Sequence, residues 1–161
     1  MGKPEHLTHL NKRELVRKTH PRIAFRGKLD SLTAELLLFQ KTPHAPVAAL
    51  EEMLKLLRSL MRADVLEEAV PEPCLLGMNE GEIRERSHQP QKYYGIGFFV
   101  PAHTDSLVLL QLNRLRASIR ETELLSYHAF PTRTDIHRAL NRLSSLCWLL
   151  CLEEKTHEPT H

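Results

Sequence analysis

The distribution of apolar residues predicts an all-α protein, an up-and-down bundle of four long helices with one further short helix. Three observations carry that expectation. Apolar side chains recur at helical spacing in four stretches. Prolines mark where those stretches stop. No stretch of any length alternates with the period of two that a half-buried strand requires. Antiparallel helices joined by turns bury such stripes against one another. A chain of 161 residues, 42% hydrophobic and 26% charged, is long enough to form one domain with its own core.

Taken in order, residues 1 to 20 hold no sustained apolar period and are expected to form an arm or loop. Lys12, Arg13, Arg17, Lys18, Arg22, Arg26 and Lys28 make this end of the chain strongly basic, although the net charge is only +2. Pro21 suits the first turn of a helix, where its missing N–H is no loss. Ile23, Leu29, Leu32, Leu36 and Phe39 give that helix its stripe, and Pro43 and Pro46 stop it. A second helix is expected from about Val47 to Val70, with Leu50, Leu54, Leu57, Met61 and Val65 as its spine and Pro71 and Pro73 after it. Residues 74 to 102 are rich in glycine and proline, with Asn79 to Arg86 able to form a short helix. A connection of that length inside a compact domain is usually functional. The third long helix is expected from about Asp105 to His128, capped by Asp105 or Thr104. Pro131 separates it from a fourth, roughly Thr134 to Glu154, capped by Thr134 or Asp135 and lined by Ile136, Leu140, Leu143, Cys147 and Leu150. The polar tail Lys155 to His161 is expected to be disordered. The domain plan is thus an arm (1–20), a helical bundle (21–154) and a tail (155–161).

Several function classes recede on composition. No apolar run approaches the ~18 residues of a membrane span and no secretory h-region opens the chain, so a cytoplasmic protein without membrane contact is expected. Three cysteines without a C-x-x-C pair argue against a disulfide framework or a thiolate metal site, and Cys147 and Cys151 read as buried small hydrophobes. The ten histidines are scattered, with no H-x-x-x-H pair, so no protein metal site is expected. A phosphate-binding glycine loop is likewise missing.

The most informative stretch is Leu112 to Glu123. Arg116, Arg120 and Glu123 fall at i, i+4 and i+7 on one narrow stripe, with Asn113 beside it and Leu112, Leu115 and Ile119 on the buried side. Two arginines one turn apart present planar N–H donors over roughly 6 Å, which suits a polyphosphate, and a carboxylate nearby can orient a guanidinium. Such a pattern is also what a solvated face with weak surface pairs looks like, so it does not by itself decide between the two.

Four separated stretches resemble the ATP:cobalamin adenosyltransferases: HPRIAFRGKLDSLTAEL at 20–36, MRAD at 61–64, RERSHQP at 84–90, and RLRASIRETE with LNRLSS at 114–123 and 140–145. Their order, together with a THL segment at Thr8, is most similar to the ethanolamine-utilisation type. Lys18, Arg22, Gly27, Asp30, Leu32, Pro101, Arg116, Arg120, Glu123 and Asn141 each fall where the wider family carries the same residue.

The resemblance implies a ferritin-like, five-helix-bundle homotrimer with ATP bound between subunits. The reaction it implies is attack by cob(I)alamin on C5′ of ATP, with triphosphate expelled and adenosylcobalamin formed. Arg120 and Lys18 would hold phosphate, with Mg²⁺, and the arm carrying Thr8 and Lys18 would fold over it. Asp30 would pair with Arg116 across the subunit boundary. Asn141 would hydrogen-bond the nucleotide, Glu123 would orient the arginines, and Arg22 joins them among the nucleotide-binding residues. Phe98 and Phe99, before Pro101, would crowd the lower face of the corrin and displace the axial cobalt ligand; the resemblance does not say which of them faces it. It also leaves room for a flavin-type electron donor and for association with a bacterial microcompartment.

Departures from the pattern modify these expectations. Ethanolamine-type enzymes often carry an upstream segment rich in His and Cys that binds a transition metal; none precedes Thr8 here, so no protein-bound iron or zinc is expected. The glycine-rich N-terminal phosphate loop of the propanediol-utilisation type is missing too, so Thr8 to Lys18 would substitute for it. Glu121 stands where that type has a second Arg, and Ser145 where it has an acidic residue. Two other classes fit the bundle and basic arm: a non-catalytic cobalamin carrier, and an interaction or nucleic-acid-binding protein. Sidedness separates the enzyme from the nucleic-acid binder, because an enzyme gathers Lys18, Arg116, Arg120 and Asn141 in one pocket and a nucleic-acid binder spreads its cations over an open face.

Overall fold

In a computed structural model, which describes residues 2–157, four long helices carry the fold: α1 (Pro21–Phe39), α2 (Val47–Val65), α5 (Leu107–Ala129) and α6 (Thr134–His157). Two short helices, α3 (Glu80–His88) and α4 (Pro90–Tyr94), lie in the expected irregular segment, and a hairpin of β1 (Leu7–His9) and β2 (Leu15–Arg17) precedes the bundle. α5 and α6 form the most extensive packing; α1 lies on α5, and α3 on α6. The core runs between them through residues such as Leu29, Leu36, Leu112, Ile119, Leu143 and Cys147, all essentially inaccessible. Among the described residues no helix is long and apolar enough to cross a membrane.

The all-α expectation holds, with corrections at the ends of elements. The arm is not a loop: Leu7 pairs with Arg17, Thr8 with Val16 and His9 with Leu15. Three paired residues a strand are too few for a period of two to stand out in sequence. α1 turns Phe25 rather than Ile23 into the core, where it meets Phe130 edge-on at 5.2 Å. α2 stops at Val65, five residues before the expected Val70, because Glu67 takes a left-handed conformation (φ 56°) and the N–H of Glu68 turns back to the carbonyl of Ala63 at 3.1 Å. That is a Schellman-type ending without the usual glycine, so its sequence signal is weak. Val65 is therefore exposed and Met61 only half-buried.

Asn79 caps α3 with a reciprocal pair: its side chain accepts from the N–H of Glu82, and Glu82 accepts from the N–H of Asn79. α5 is capped by Ser106, neither Asp105 nor Thr104. Asp105 instead accepts from the N–H of Ala102 at 2.8 Å and from Lys155 at 2.5 Å. Thr134 and Asp135 lie within the first turn of α6. Lys155, expected in a disordered tail, is helical and sits 5.4 Å from the centre of the Phe99 ring, as α6 continues through His157; the last four residues of that tail lie outside the described ones.

Candidate functional site

The i, i+4, i+7 stripe on α5 meets a matching stripe on α6. Asn141, Ser144, Ser145 and Trp148 stand at i, i+3, i+4 and i+7, and helix packing sets the two stripes side by side. Arg116, Arg120 and Glu123 line an open cavity of about 280 Å³ together with those four and with Ser87 and His88 from the end of α3. Arg116 is half-buried and donates from Nε to Asn113 at 3.2 Å, which fixes its plane. Arg120 is exposed, and its guanidinium is engaged by no other described residue.

A hydrogen-bonded relay sets the Asn141 amide. Glu80, in the first turn of α3, accepts from Arg142 Nε at 3.1 Å; Arg142 Nη1 donates to Asn141 Oδ1 at 2.7 Å; and Asn141 Nδ2 donates to Glu123 Oε1 at 3.0 Å. Glu123 thus orients the amide. Among the described residues it forms no ion pair with Arg116 or Arg120, contrary to the expectation that it would orient the arginines. Asn141 keeps one N–H and one lone pair for a ligand.

Trp148 links this cavity to the aromatic segment. Phe98 stacks on it at 5.9 Å with the rings 8° from parallel, and Phe99 lies 5.1 Å away at 31°. Phe98 is 71% exposed, and Phe99 is half-buried under Lys155. Both phenylalanines therefore contact the indole, and Phe98 is the one presented outward.

Other expected site residues lie elsewhere. Arg22 is bound to the buried carboxylate of Asp64 at 2.7 Å and stacks over Phe130, and it does not line the cavity. Asp30 is exposed on α1, outside the cavity. Thr8 and Lys18 belong to the hairpin, and Lys18 lines a separate depression with His6, Arg17 and Thr19. Glu121, at the position where the propanediol type carries arginine, pairs with Lys28 of α1 at 2.8 Å. Trp148, Ser87 and His88 carried no role on sequence grounds. The SHQP motif marked the latter two, but nothing local showed that α3 packs on α6.

Burial raises the Cys147 thiol well above its usual range and pushes Cys151 up to about 12, so both act as apolar filling, as expected; Cys74 is exposed. Among the described residues no group of three His, Cys, Asp or Glu side chains is placed to hold a metal ion.

Fold and cavity together define a class: a helical-bundle protein with a cationic, amide-lined cavity set against an exposed aromatic stack. The chain belongs to the cobalamin adenosyltransferase family, whose sequence model matches residues 2–154. It is similar to the corrinoid adenosyltransferase EutT of Salmonella typhimurium, 36% identical over 166 residues, and to that of Escherichia coli, 34% identical over 166 residues. Each alignment covers 98% of this chain and 61% of the relative, so the chain spans about three fifths of the length of these proteins.

Proposed function

We propose that the protein is an ATP:corrinoid adenosyltransferase. Cob(I)alamin attacks C5′ of ATP; the cobalt–carbon bond forms as the C5′–O bond breaks, and triphosphate leaves with the electron pair. No general base is required, because the nucleophile is the metal of the substrate. The work left to the protein is to align the two substrates and to stabilise a polyanionic leaving group. The observation that carries this reading is the meeting, at Trp148, of the Arg116–Arg120–Asn141 cavity with the Phe98–Phe99 stack.

In this reading Arg120 grips phosphate, its guanidinium being open to a ligand, and Arg116, held by Asn113, supplies a second fixed donor. The free lone pair and N–H of Asn141 meet the nucleotide. Mg²⁺ enters on the triphosphate, whose oxygens supply the hard ligands it prefers. Phe98 presents its ring to the lower face of the corrin, excluding an axial ligand so that Co(II) accepts an electron more readily; a flavin-type donor would supply it. A homotrimer brings the exposed Asp30 of one subunit to Arg116 of the next, and the hairpin with Thr8 and Lys18 over the phosphates. Three of the four residues whose clustering separates an enzyme from a nucleic-acid binder share one cavity, which favours the enzyme; Lys18 would join them across the subunit boundary.

The test supplies ATP, Mg²⁺ and chemically reduced cobalamin and follows the adenosylcobalamin spectrum. Turnover is expected, with a loss of at least about a hundredfold in Arg120→Ala, the scale of removing one stabiliser of a developing anion. Turnover indifferent to that change would sink the phosphate assignment. Absence of adenosylcobalamin with the unaltered chain would favour a carrier.

A further inference from the structure

Three of the motifs that distinguish this chain have no part in the arginine cavity: the segment from Thr8 to Leu10, the Arg22 and Arg26 pair, and MRAD. The fold brings them to one place. Asp64, the last residue of MRAD, is fully buried near the end of α2, where an unpaired carboxylate would be strongly unfavourable. Two guanidinium groups from α1 neutralise it: Arg22 donates from Nε at 2.7 Å and also reaches the Asp64 carbonyl at 2.8 Å, and Arg26 donates from Nε to the other carboxylate oxygen.

Arg26 has a second task. With Nε given to Asp64, its two Nη groups turn to the hairpin and donate to the carbonyl of His9, at 3.2 Å, and to that of Leu10. Leu10 is itself buried, and beside it Asn11 donates to Glu67, the left-handed residue that ends α2, at 2.9 Å. A planar guanidinium spans three acceptors only while something holds its plane, and Asp64 does so. A hairpin with three paired residues a strand has little stability of its own, so its place on the bundle depends on this docking.

We infer that Arg26 and Asp64 are positioning residues for a polyphosphate ligand: they touch none of it, but fix the hairpin whose end presents Lys18 to it. The identity of that ligand as MgATP rests on the adenosyltransferase reading. The N–H of Lys18 is bonded to the carbonyl of His6, so its backbone moves with the hairpin while its exposed side chain, beside Arg17 and Thr19, remains free to meet an anion. Undocked, the hairpin carries Lys18 through many positions, and the cation is no longer preorganised.

The experiment uses the full chain and two readouts other than turnover: MgATP affinity by calorimetry, and the rate of tryptic cleavage within residues 12–18. Arg26→Met keeps the aliphatic stem and leaves the Arg22–Asp64 pair in place. It is expected to weaken MgATP about tenfold, the scale of one charged hydrogen bond, and to speed hairpin cleavage by at least as much. The double variant Arg26→Met with Lys18→Ala should bind no more weakly than Lys18→Ala alone, since a residue acting through Lys18 then has nothing left to act on. A purely structural role would instead multiply the two losses. If Arg26→Met does not fold, Arg26→Lys carries the same comparison, because it keeps a charge at Asp64 but lacks the fork. Multiplied losses, or unchanged affinity with faster cleavage, would overturn the inference. Wild-type protein that binds MgATP yet transfers no adenosyl group would sink the enzymatic reading and leave this one standing. Wild-type protein that binds no MgATP overturns both.

Discussion

Arg22 with Arg26 on α1, and Arg116 with Arg120 on α5, are pairs of arginines set one helical turn apart that the fold treats in opposite ways. The first pair closes on Asp64, a carboxylate with no access to water, and the arginines themselves are only 17% and 16% exposed. The second pair opens on a cavity, with Arg116 steadied by an amide and Arg120 exposed. Spacing is the same in both. What differs is the element packed opposite: a helix end carrying a buried acid in one case, a stripe of amide, hydroxyl and indole in the other. Closed pairs of this kind hold structure together, and open pairs remain available to an anion from outside.

That contrast can be broken most directly at Asp64. Asp64→Ala leaves two largely buried cations without their counter-charge and is expected to lower stability by roughly 3 kcal/mol, near the lower bound for breaking a buried ion pair from one side; the urea midpoint reads it. A loss below about 0.5 kcal/mol, the scale of a surface substitution, would show that both arginines relax into water and that the two pairs are alike. Arg120→Ala should behave in the reverse manner. Its urea midpoint is expected to stay within about 0.5 kcal/mol of the parent, as for an exposed side chain, while adenosyl transfer falls by the hundredfold or more given above. A matching loss of stability would make Arg120 a second structural arginine.

Smaller effects sharpen the edges of each region. Asn79→Ala removes the cap of α3, which carries Ser87 and His88 to the cavity, and should cost about 1 kcal/mol; amide hydrogen exchange in residues 80–88 should rise ahead of that in α5. On the other side, Asp135 fastens the start of α6 to the chain just after the Asp64 hub. It accepts from the N–H of Val70 at 2.9 Å and from Arg133, whose Nη2 also donates to the carbonyl of Glu68 at 2.7 Å. The Arg133 hydrogen bond, helped by the Val70 N–H and opposed by partial burial, holds the Asp135 carboxyl down at about 2 from its usual 3.8. Because the folded value is the lower one, the stabilisation is fully present above the ordinary carboxylate range and is lost as pH falls from about 4 towards 2. Thermal unfolding across that window should show a smaller pH dependence in Asp135→Asn than in the parent. An identical slope would mean that the latch contributes nothing.

Much of this architecture was legible in order along the chain. α1, α3, α5 and α6 were expected nearly where they stand, because apolar period, proline and capping residues are local signals and α-helical hydrogen bonds are local too. The errors fell where the determining contact is distant or its signature is faint. α2 stops early on a left-handed glutamate whose backbone no glycine announces, and the arm folds into a hairpin docked by Arg26 on α1. The cavity was half legible. Arg116, Arg120, Glu123 and Asn141 line one cavity, since each helix displays its own stripe, while Lys18, expected beside them, lines a separate depression. Trp148 entered with them unexpectedly, and Arg22 left.

The helices, their buried faces and the family motifs they carry are written along the chain, because periodicity fixes which side chains share a face whatever that face meets. Which arginines are neutralised and which stay open is set by contacts between elements far apart along the chain. The fate of a charge depends on the groups within a few ångströms of it in space, and Asp64 stands 42 residues from Arg22 while Trp148 stands 28 from Arg120. Packing of α1 on the end of α2, and of α5 on α6, brought those groups into reach and gave one pair a partner and the other a cavity.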